Sequence, residues 1–169
     1  MPVAPRTLLA LLHLITQVGV SGAGAHTISE GGEASMPRNV QLTSAAWNAL
    51  NAKKWPAAIE KAAECIDEFE HQARRQQAQL EATRAPLPPT GTASDSEKTT
   101  IMARGPLNDV ATCLFIKGRA LEMLGKGPEA VVAYSSAATL TYARCWDPHG
   151  WFWSPSEGAQ DRIKQLGIK

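Results

Sequence analysis

Apolar residues recur every three or four positions along most of this chain, which is the spacing of one face of an α-helix. The longest such series follows Pro56, and its apolar positions are Ile59, Ala62, Ala63, Ile66, Phe69, Ala73 and Leu80. No window alternates convincingly between apolar and polar residues, and β-branched residues are sparse beyond the N-terminal segment. The pattern therefore predicts an all-α fold.

Proline and glycine divide the pattern into five predicted helices. They span about 39–51, 56–83, 106–124, 128–143 and 155–166. Pro56 lies in a first turn, where its missing N–H costs nothing, and Gly125 is placed to close the third helix in a left-handed conformation. Ser154 and Glu157 have the spacing of a capping box at the start of the fifth helix.

Two segments have a composition that favours flexibility over helix. Residues 26–38 are rich in Gly, Ser and Glu, and residues 86–105 hold three prolines with Thr, Ser, Gly and Asp. Such segments bury too little apolar surface to offset the entropy of ordering. We predict a flexible N-terminal segment over 26–38, a helical domain over 39–169, and a flexible loop at 86–105 between two helical hairpins.

The first 25 residues have the order of regions found in an export signal. Arg6 precedes an apolar stretch from Leu8 to Val20, and small residues follow up to Ala25. The apolar stretch is shorter than the ~20 residues that span a bilayer, so no stable membrane anchor is expected. We predict cleavage after Ala25 and a secreted or periplasmic mature protein.

A further pattern combines small and aromatic residues between Phe115 and Tyr142. Its positions follow one another at offsets of three, four, five, four and three, and they are Gly118, Leu121, Gly125, Ala130, Tyr134 and Ala137. The stretch GRALEMLGKGPEAVVAYSSA resembles the tetratricopeptide repeat (TPR) family, whose 34-residue unit is a helix–turn–helix. A weaker copy lies seventy-two residues upstream, at Trp55, Ala58, Ala62 and Cys65. Three positions depart from the family pattern, namely Ala46, Leu121 and Tyr142.

The resemblance implies a right-handed stack of antiparallel hairpins, closed by a C-terminal capping helix. It also implies a non-catalytic module that binds a protein or peptide, in a groove between the second and third predicted helices. The residues expected to contact the partner there are Arg74, Gln77, Lys117 and Arg119. The second helix is about twice the length of a repeat helix, so its far end is expected to overhang or to meet a partner. Self-association through that end is an alternative.

The aromatic run WDPHGWFW, from Trp146 to Trp153, supports two hypotheses. Its rings could plug the open end of the helical stack, since a repeat array needs a terminal cap. Alternatively, Trp146, Trp151 and Trp153 could form a stacking platform, which would make the chain a small-molecule or carbohydrate receptor.

The three cysteines also leave alternatives open. The repeat-like stacking would set the helices of Cys65 and Cys113 side by side, and an exported protein permits a disulfide between them. Three buried, free thiols are the other possibility. Cys145 and His149 are four residues apart, but no second pair of ligands with suitable spacing predicts zinc, and no orienting group beyond Asp147 favours a nucleophile.

Composition and charge exclude several other classes. The formal net charge is +1 without a basic cluster, so neither nucleic acid nor a membrane surface is expected as a partner. No phosphate-binding glycine loop, catalytic triad or paired carboxylates stand out. We therefore expect no enzymatic activity and no cofactor or metal.

Overall fold

The computed structural model describes residues 36–167, which are mostly helical. The elements are α1 (Arg38–Asn51), α2 (Trp55–Ala82), α3 (Asp95–Met102), α4 (Gly105–Met123), α5 (Gly127–Ala138), β1 (Cys145–Asp147), β2 (Trp151–Trp153) and α6 (Pro155–Leu166). The predicted all-α character is confirmed, apart from the short β-hairpin. The predicted export signal and most of the segment 26–38 lie outside the described residues.

Local sequence explains where most helices begin and end. Proline lies in the first turn of α2, α4, α5 and α6, where a missing N–H is tolerated. The Ser154 hydroxyl accepts a hydrogen bond from the Glu157 N–H at 3.2 Å, as predicted for the cap of α6. Gly125 after α4 and Gly167 after α6 have positive φ angles of 72° and 61°. These glycines let the chain leave each helix without a steric penalty.

The segment 86–105, which its composition predicted to be a flexible loop, contains the helix α3. Ser94 and Glu97 form a complete capping box that starts α3. Ile101 of α3 is 1% exposed, and its carbonyl accepts a hydrogen bond from the Asn108 side chain at 2.7 Å. Gly91 exchanges two backbone hydrogen bonds with Phe152 of β2. Long-range contacts, which composition does not reveal, hold this segment.

Arg144 makes further long-range contacts with this segment. Its side chain is buried and donates to the carbonyl oxygens of Pro88 and Pro89, with Nε distances of 3.1 and 3.2 Å. The same guanidinium also donates to the Thr141 carbonyl at 3.0 Å. Burial lowers the pKa of Arg144 below its ordinary value. The N–H groups of the buried guanidinium are thus hydrogen-bonded to carbonyl oxygens. Through them Arg144 connects Pro88 and Pro89 to the residues that follow α5.

The far end of α2 does not overhang. The Gln77 side chain is 5% exposed and accepts a hydrogen bond from the Tyr142 N–H at 3.1 Å. The Tyr142 hydroxyl in turn donates to the Ala85 carbonyl at 2.7 Å. These contacts also explain why α5 ends at Ala138, earlier than predicted, because the chain must turn to reach α2. Segment 139–142 of this chain therefore contacts the far part of the long helix.

Helix α4 lies at the centre of the core. It packs against α1, α2, α5 and α6. Gly118 of α4 faces the ring of Tyr134 on α5, and that tyrosine is fully buried. The expected close approach at Gly118 is confirmed. Since the neighbours of α4 leave parts of two opposite sides uncovered, this helix also positions the surfaces described next.

Candidate functional site

The four predicted contact residues do not form one surface. Lys117 and Arg119 are two residues apart on α4, and an α-helix turns about 100° per residue, so their side chains point about 160° apart. Lys117 lines a groove formed by α2, α4 and α5. Arg119 lines a different groove, between α1 and α4. The sequence prediction combined positions that helical geometry separates.

Arg74 and Gln77 interact with the chain itself. The Arg74 guanidinium donates to Glu70 at 2.8 Å and to the Thr139 hydroxyl at 2.9 Å. The Gln77 amide is buried and donates to Glu81 at 2.8 Å and to Thr141 at 2.9 Å. Gln77 is thus a structural residue that joins α2 to the segment after α5, rather than a contact residue.

The groove between α2, α4 and α5, here called the lateral groove, is the one expected from the sequence. It encloses about 540 Å³. Its floor is apolar and its rim is charged, and the lining residues are Ile66, Asp67, Glu70, Leu114, Lys117, Leu121, Glu129, Val132, Ala133 and Ser136. Three carboxylates and one ammonium line the lateral groove, and the Arg74 guanidinium pairs with one of the carboxylates, Glu70, so the balance of charge stays acidic.

The groove between α1 and α4, here called the aromatic groove, was not expected from the sequence. It encloses about 410 Å³. It is lined by Trp47, Leu50, Asn51, Lys53, Trp55, Phe115, Arg119 and Met123. The three aromatic residues are half-buried, and Met123 is 51% exposed. Sequence reasoning treated Trp55 as a packing position and gave Trp47 no role, because their convergence depends on how α1 packs against α4.

The β-hairpin supports the wall of the aromatic groove through Trp153. The Trp153 ring meets Trp47 edge-on, with centroids 6.3 Å apart, and meets Phe115 edge-on at 5.0 Å. Phe115 also contacts Tyr134 at 5.8 Å. Edge-to-face contacts at these distances stabilise aromatic clusters beyond their buried area. This chain of rings connects the groove to the core.

The predicted aromatic platform is split between the two faces of the hairpin. Antiparallel pairing sets Trp146 opposite Phe152 and Asp147 opposite Trp151. Because neighbouring residues of a strand point to opposite faces, Trp151 and Trp153 share one face while Trp146 and Phe152 share the other. Trp146 and Trp151 are each 40% exposed, whereas Trp153 packs inward. The three tryptophans therefore do not form a single stacking surface.

A hydrogen-bonded charge network lies beside the aromatic groove. The Glu122 carboxylate accepts from the Tyr134 hydroxyl at 2.8 Å, from Arg162 Nε at 3.1 Å and from Arg119 at 3.4 Å. Burial raises the pKa of Glu122. The hydrogen bonds from Arg162 and Tyr134, together with the charges of Arg162 and Arg119, lower it by more, so the net pKa is below its ordinary value. The pKa of Tyr134 is raised by burial and by the neighbouring carboxylate.

Cys65 and Cys113 are neighbours, but the structure has them as free thiols rather than as the disulfide considered above. Both are fully buried, and their sulfurs lie 3.7 and 3.4 Å from the Thr43 hydroxyl. The same hydroxyl donates to the Asn39 carbonyl at 2.9 Å. The hydrogen bond with Cys65, together with burial, raises the pKa of Cys113. Both cysteines are buried packing residues of the core.

Cys145 and His149 make separate contacts. The Cys145 thiol is 3.7 Å from the Trp146 carbonyl, and burial raises the pKa of that thiol. The exposed His149 ring lies 2.7 Å from the Asp147 carboxylate. Over residues 36–167, no group of three His, Cys, Asp or Glu side chains could hold a metal ion. In the same range no helix is long and apolar enough to cross a membrane.

Comparison with protein-family models, with curated proteins and with solved structures found no match to this chain. Its class therefore rests on its own geometry, which is that of a mostly helical domain with grooves on two sides of α4.

Proposed function

We propose that this chain is a non-catalytic, tetratricopeptide-like module that binds a protein or peptide partner in the aromatic groove. Two helical hairpins support the repeat-like arrangement. Three residues connect α1 to α2, and three connect α4 to α5, and connections this short favour antiparallel neighbours. The α4 helix packs against both helices of the first hairpin, as the second unit of a stack would. Helix α6 then packs against α5 as a cap.

The composition of the aromatic groove carries the functional proposal. Tryptophan, methionine and arginine are the residues enriched where proteins bind one another, and this groove contains all three types. Trp47 and Trp55 stay half-buried instead of closing into the core, which leaves apolar area for a partner to cover. Trp153 holds the Trp47 ring in place, and a preorganised surface loses less entropy on binding.

Selection from a random peptide library displayed on phage tests the proposal. Met123 and Leu124 provide a matched pair, because both are exposed, at 51% and 41%, but only Met123 lines the groove. Peptides enriched on the wild-type protein are expected to bind Trp55→Ala and Met123→Ser about tenfold or more weakly, as for contacts at the centre of an interface. Leu124→Ser should bind like wild type. Equal binding by all variants would reject the aromatic groove.

A receptor for a carbohydrate is a second candidate, favoured by the surroundings of Trp151. That ring lines a shallow cavity of about 370 Å³ together with Thr90, Glu157 and Asp161. An aromatic face with a few polar groups is typical of small-ligand sites. Titration with oligosaccharides, followed by Trp151→Ala, distinguishes this site from the aromatic groove. Loss of oligosaccharide binding in Trp151→Ala would favour the receptor.

Export remains part of the proposal. The predicted signal over residues 1–25 lies outside the described residues. Mass spectrometry of the native protein tests it, since export predicts a mature chain that starts at His26.

A further inference from the structure

The two charged residues that line the aromatic groove are both positive. Lys53 and Arg119 line it, and none of its other lining residues is charged. The lateral groove, on the opposite side of α4, has three carboxylates and one ammonium. The two grooves therefore differ in polarity, although the chain as a whole is almost neutral.

The positive charge of Arg119 is not cancelled by its nearest carboxylate. Glu122 accepts a hydrogen bond from Arg119 at 3.4 Å, but it is also bound by Arg162, whose Nε is 3.1 Å away. The carboxylate is ionised at neutral pH, since the ordinary pKa of a glutamate lies well below that pH and that of Glu122 is lowered further. Two guanidinium groups share one carboxylate, so the cluster keeps a net positive charge next to the groove. The Arg119 side chain is 32% exposed and available to a ligand.

Lys53 lies at the end of the groove in an unusual backbone conformation. Its φ is +58°, in the left-handed region where glycine or asparagine is the common residue. The Lys53 N–H donates to the Leu50 carbonyl at 2.9 Å, and the Lys54 N–H donates to the Ala49 carbonyl at 2.9 Å. The turn thus closes α1 with a side chain where a glycine would be less strained. It places an exposed ammonium beside Trp55.

We propose that the partner segment bound in the aromatic groove is acidic, with an apolar or aromatic side chain flanked by aspartate or glutamate. This inference rests on the proposed function. The apolar side chain would cover Trp47, Trp55 and Met123, while the carboxylates would face Lys53 and Arg119. Complementary charge of this kind sets specificity and association rate. The lateral groove, being acidic, repels the same segment.

The charge of the peptides enriched in the phage selection provides the test. We expect an excess of Asp and Glu over Lys and Arg near an apolar residue. The enriched peptides are then synthesised with capped ends and a dye label, and their binding is measured by fluorescence anisotropy. Peptides in which every Asp and Glu is replaced by Asn and Gln should bind about tenfold more weakly. Lys53→Gln and Arg119→Gln should each weaken binding of the acidic peptide about two- to fivefold, and added salt should weaken it further. Lys117→Gln, in the lateral groove, is the matched control and should change nothing.

The possible outcomes separate the two proposals. Groove-dependent peptides that are neutral or basic, or that bind equally well as amides, would overturn the acidic partner and leave the binding function standing. Failure to enrich any groove-dependent peptide would overturn both. Single-stranded oligothymidylate is the anionic competitor, because aromatic and cationic grooves also bind nucleic acid. If it binds the groove more tightly than the acidic peptide does, the partner is not a peptide.

Discussion

Gly118 and Tyr134 occupy the same space between α4 and α5. A Cβ atom at position 118 would lie 2.5 Å from Cε1 of the tyrosine ring. Real Cβ atoms essentially never show a contact that short, so the ring can approach α4 this closely only because residue 118 has no side chain. This contact sets the spacing of the two helices.

Gly118→Ala should therefore destabilise the protein by about 1–3 kcal/mol through overpacking, although alanine is the better helix former. In a Tyr134→Ala background, which itself should cost about 3–5 kcal/mol, the same change should cost little. Urea denaturation of the four proteins in this double-mutant cycle measures the coupling. An equal cost of Gly118→Ala in both backgrounds would show that the ring is not the cause.

The carboxylate of Glu122 should make stability depend on pH. Its pKa in the folded chain is below the ordinary value of 4.5. The stability that this ionised carboxylate contributes is therefore fully present above the pKa of Glu122 in the unfolded chain. It is lost as the pH falls through the pKa in the folded chain. Glu122→Gln should lower stability by about 1–3 kcal/mol at neutral pH and flatten the acid side of the curve. The measurement is the free energy of unfolding of wild type and Glu122→Gln from neutral pH downward. Parallel pH curves for the two proteins would contradict the prediction.

Arg144 should control the order of the segment 86–104. Arg144→Ala removes the donors that Pro88 and Pro89 accept, and we expect a loss of about 1.5–3 kcal/mol. Amide hydrogen exchange should rise in α3 more than in α1. Arg75→Ala, at an exposed position of α2, is the control and should change neither quantity. Unchanged exchange in α3 would mean that the capping box and Ile101 suffice to hold the segment.

The tryptophans of the β-hairpin should differ in their effect on stability. Trp153→Ala removes two edge-to-face contacts and should cost about 3 kcal/mol. Trp151→Ala removes an exposed ring and should stay within about 0.5 kcal/mol of wild type. Thermal denaturation of both variants checks the order. A larger loss of stability for Trp151→Ala than for Trp153→Ala would show that the contacts of Trp153 with Trp47 and Phe115 do not stabilise the fold.

The two buried thiols should be inaccessible in the native protein. Cys65 and Cys113 are fully buried, so aqueous thiol reagents should modify them only after unfolding. Thiol counting in denaturant without reductant should give three free groups. A count of one would identify the disulfide as the native state in solution.

Much of the helical architecture could be predicted from local signals. Prolines in first turns, glycines after α4 and α6, and the spacing of apolar residues located five helices within a few residues of their observed ends, except for the end of α5. Helix α3 was missed because Ser94 and Glu97 were hidden in a segment whose overall composition favours disorder. The pattern from Gly118 to Tyr134 correctly indicated a close contact between two helices. The helical period shows which residues share a face, and the small residue at 118 allows the large ring at 134 to approach.

The candidate site could not be predicted in the same way. The sequence by itself determined which residues share a face of one helix, since periodicity is a local property. Only the tertiary structure decided that Trp47, Trp55 and Phe115 converge on one groove. It also decided that the Gln77 side chain is hydrogen-bonded to Tyr142, and that Lys117 and Arg119 line different grooves. Those relations depend on the packing of α1 and α2 against α4. Because packing is set by many small contacts between distant segments, no short stretch of sequence contains it.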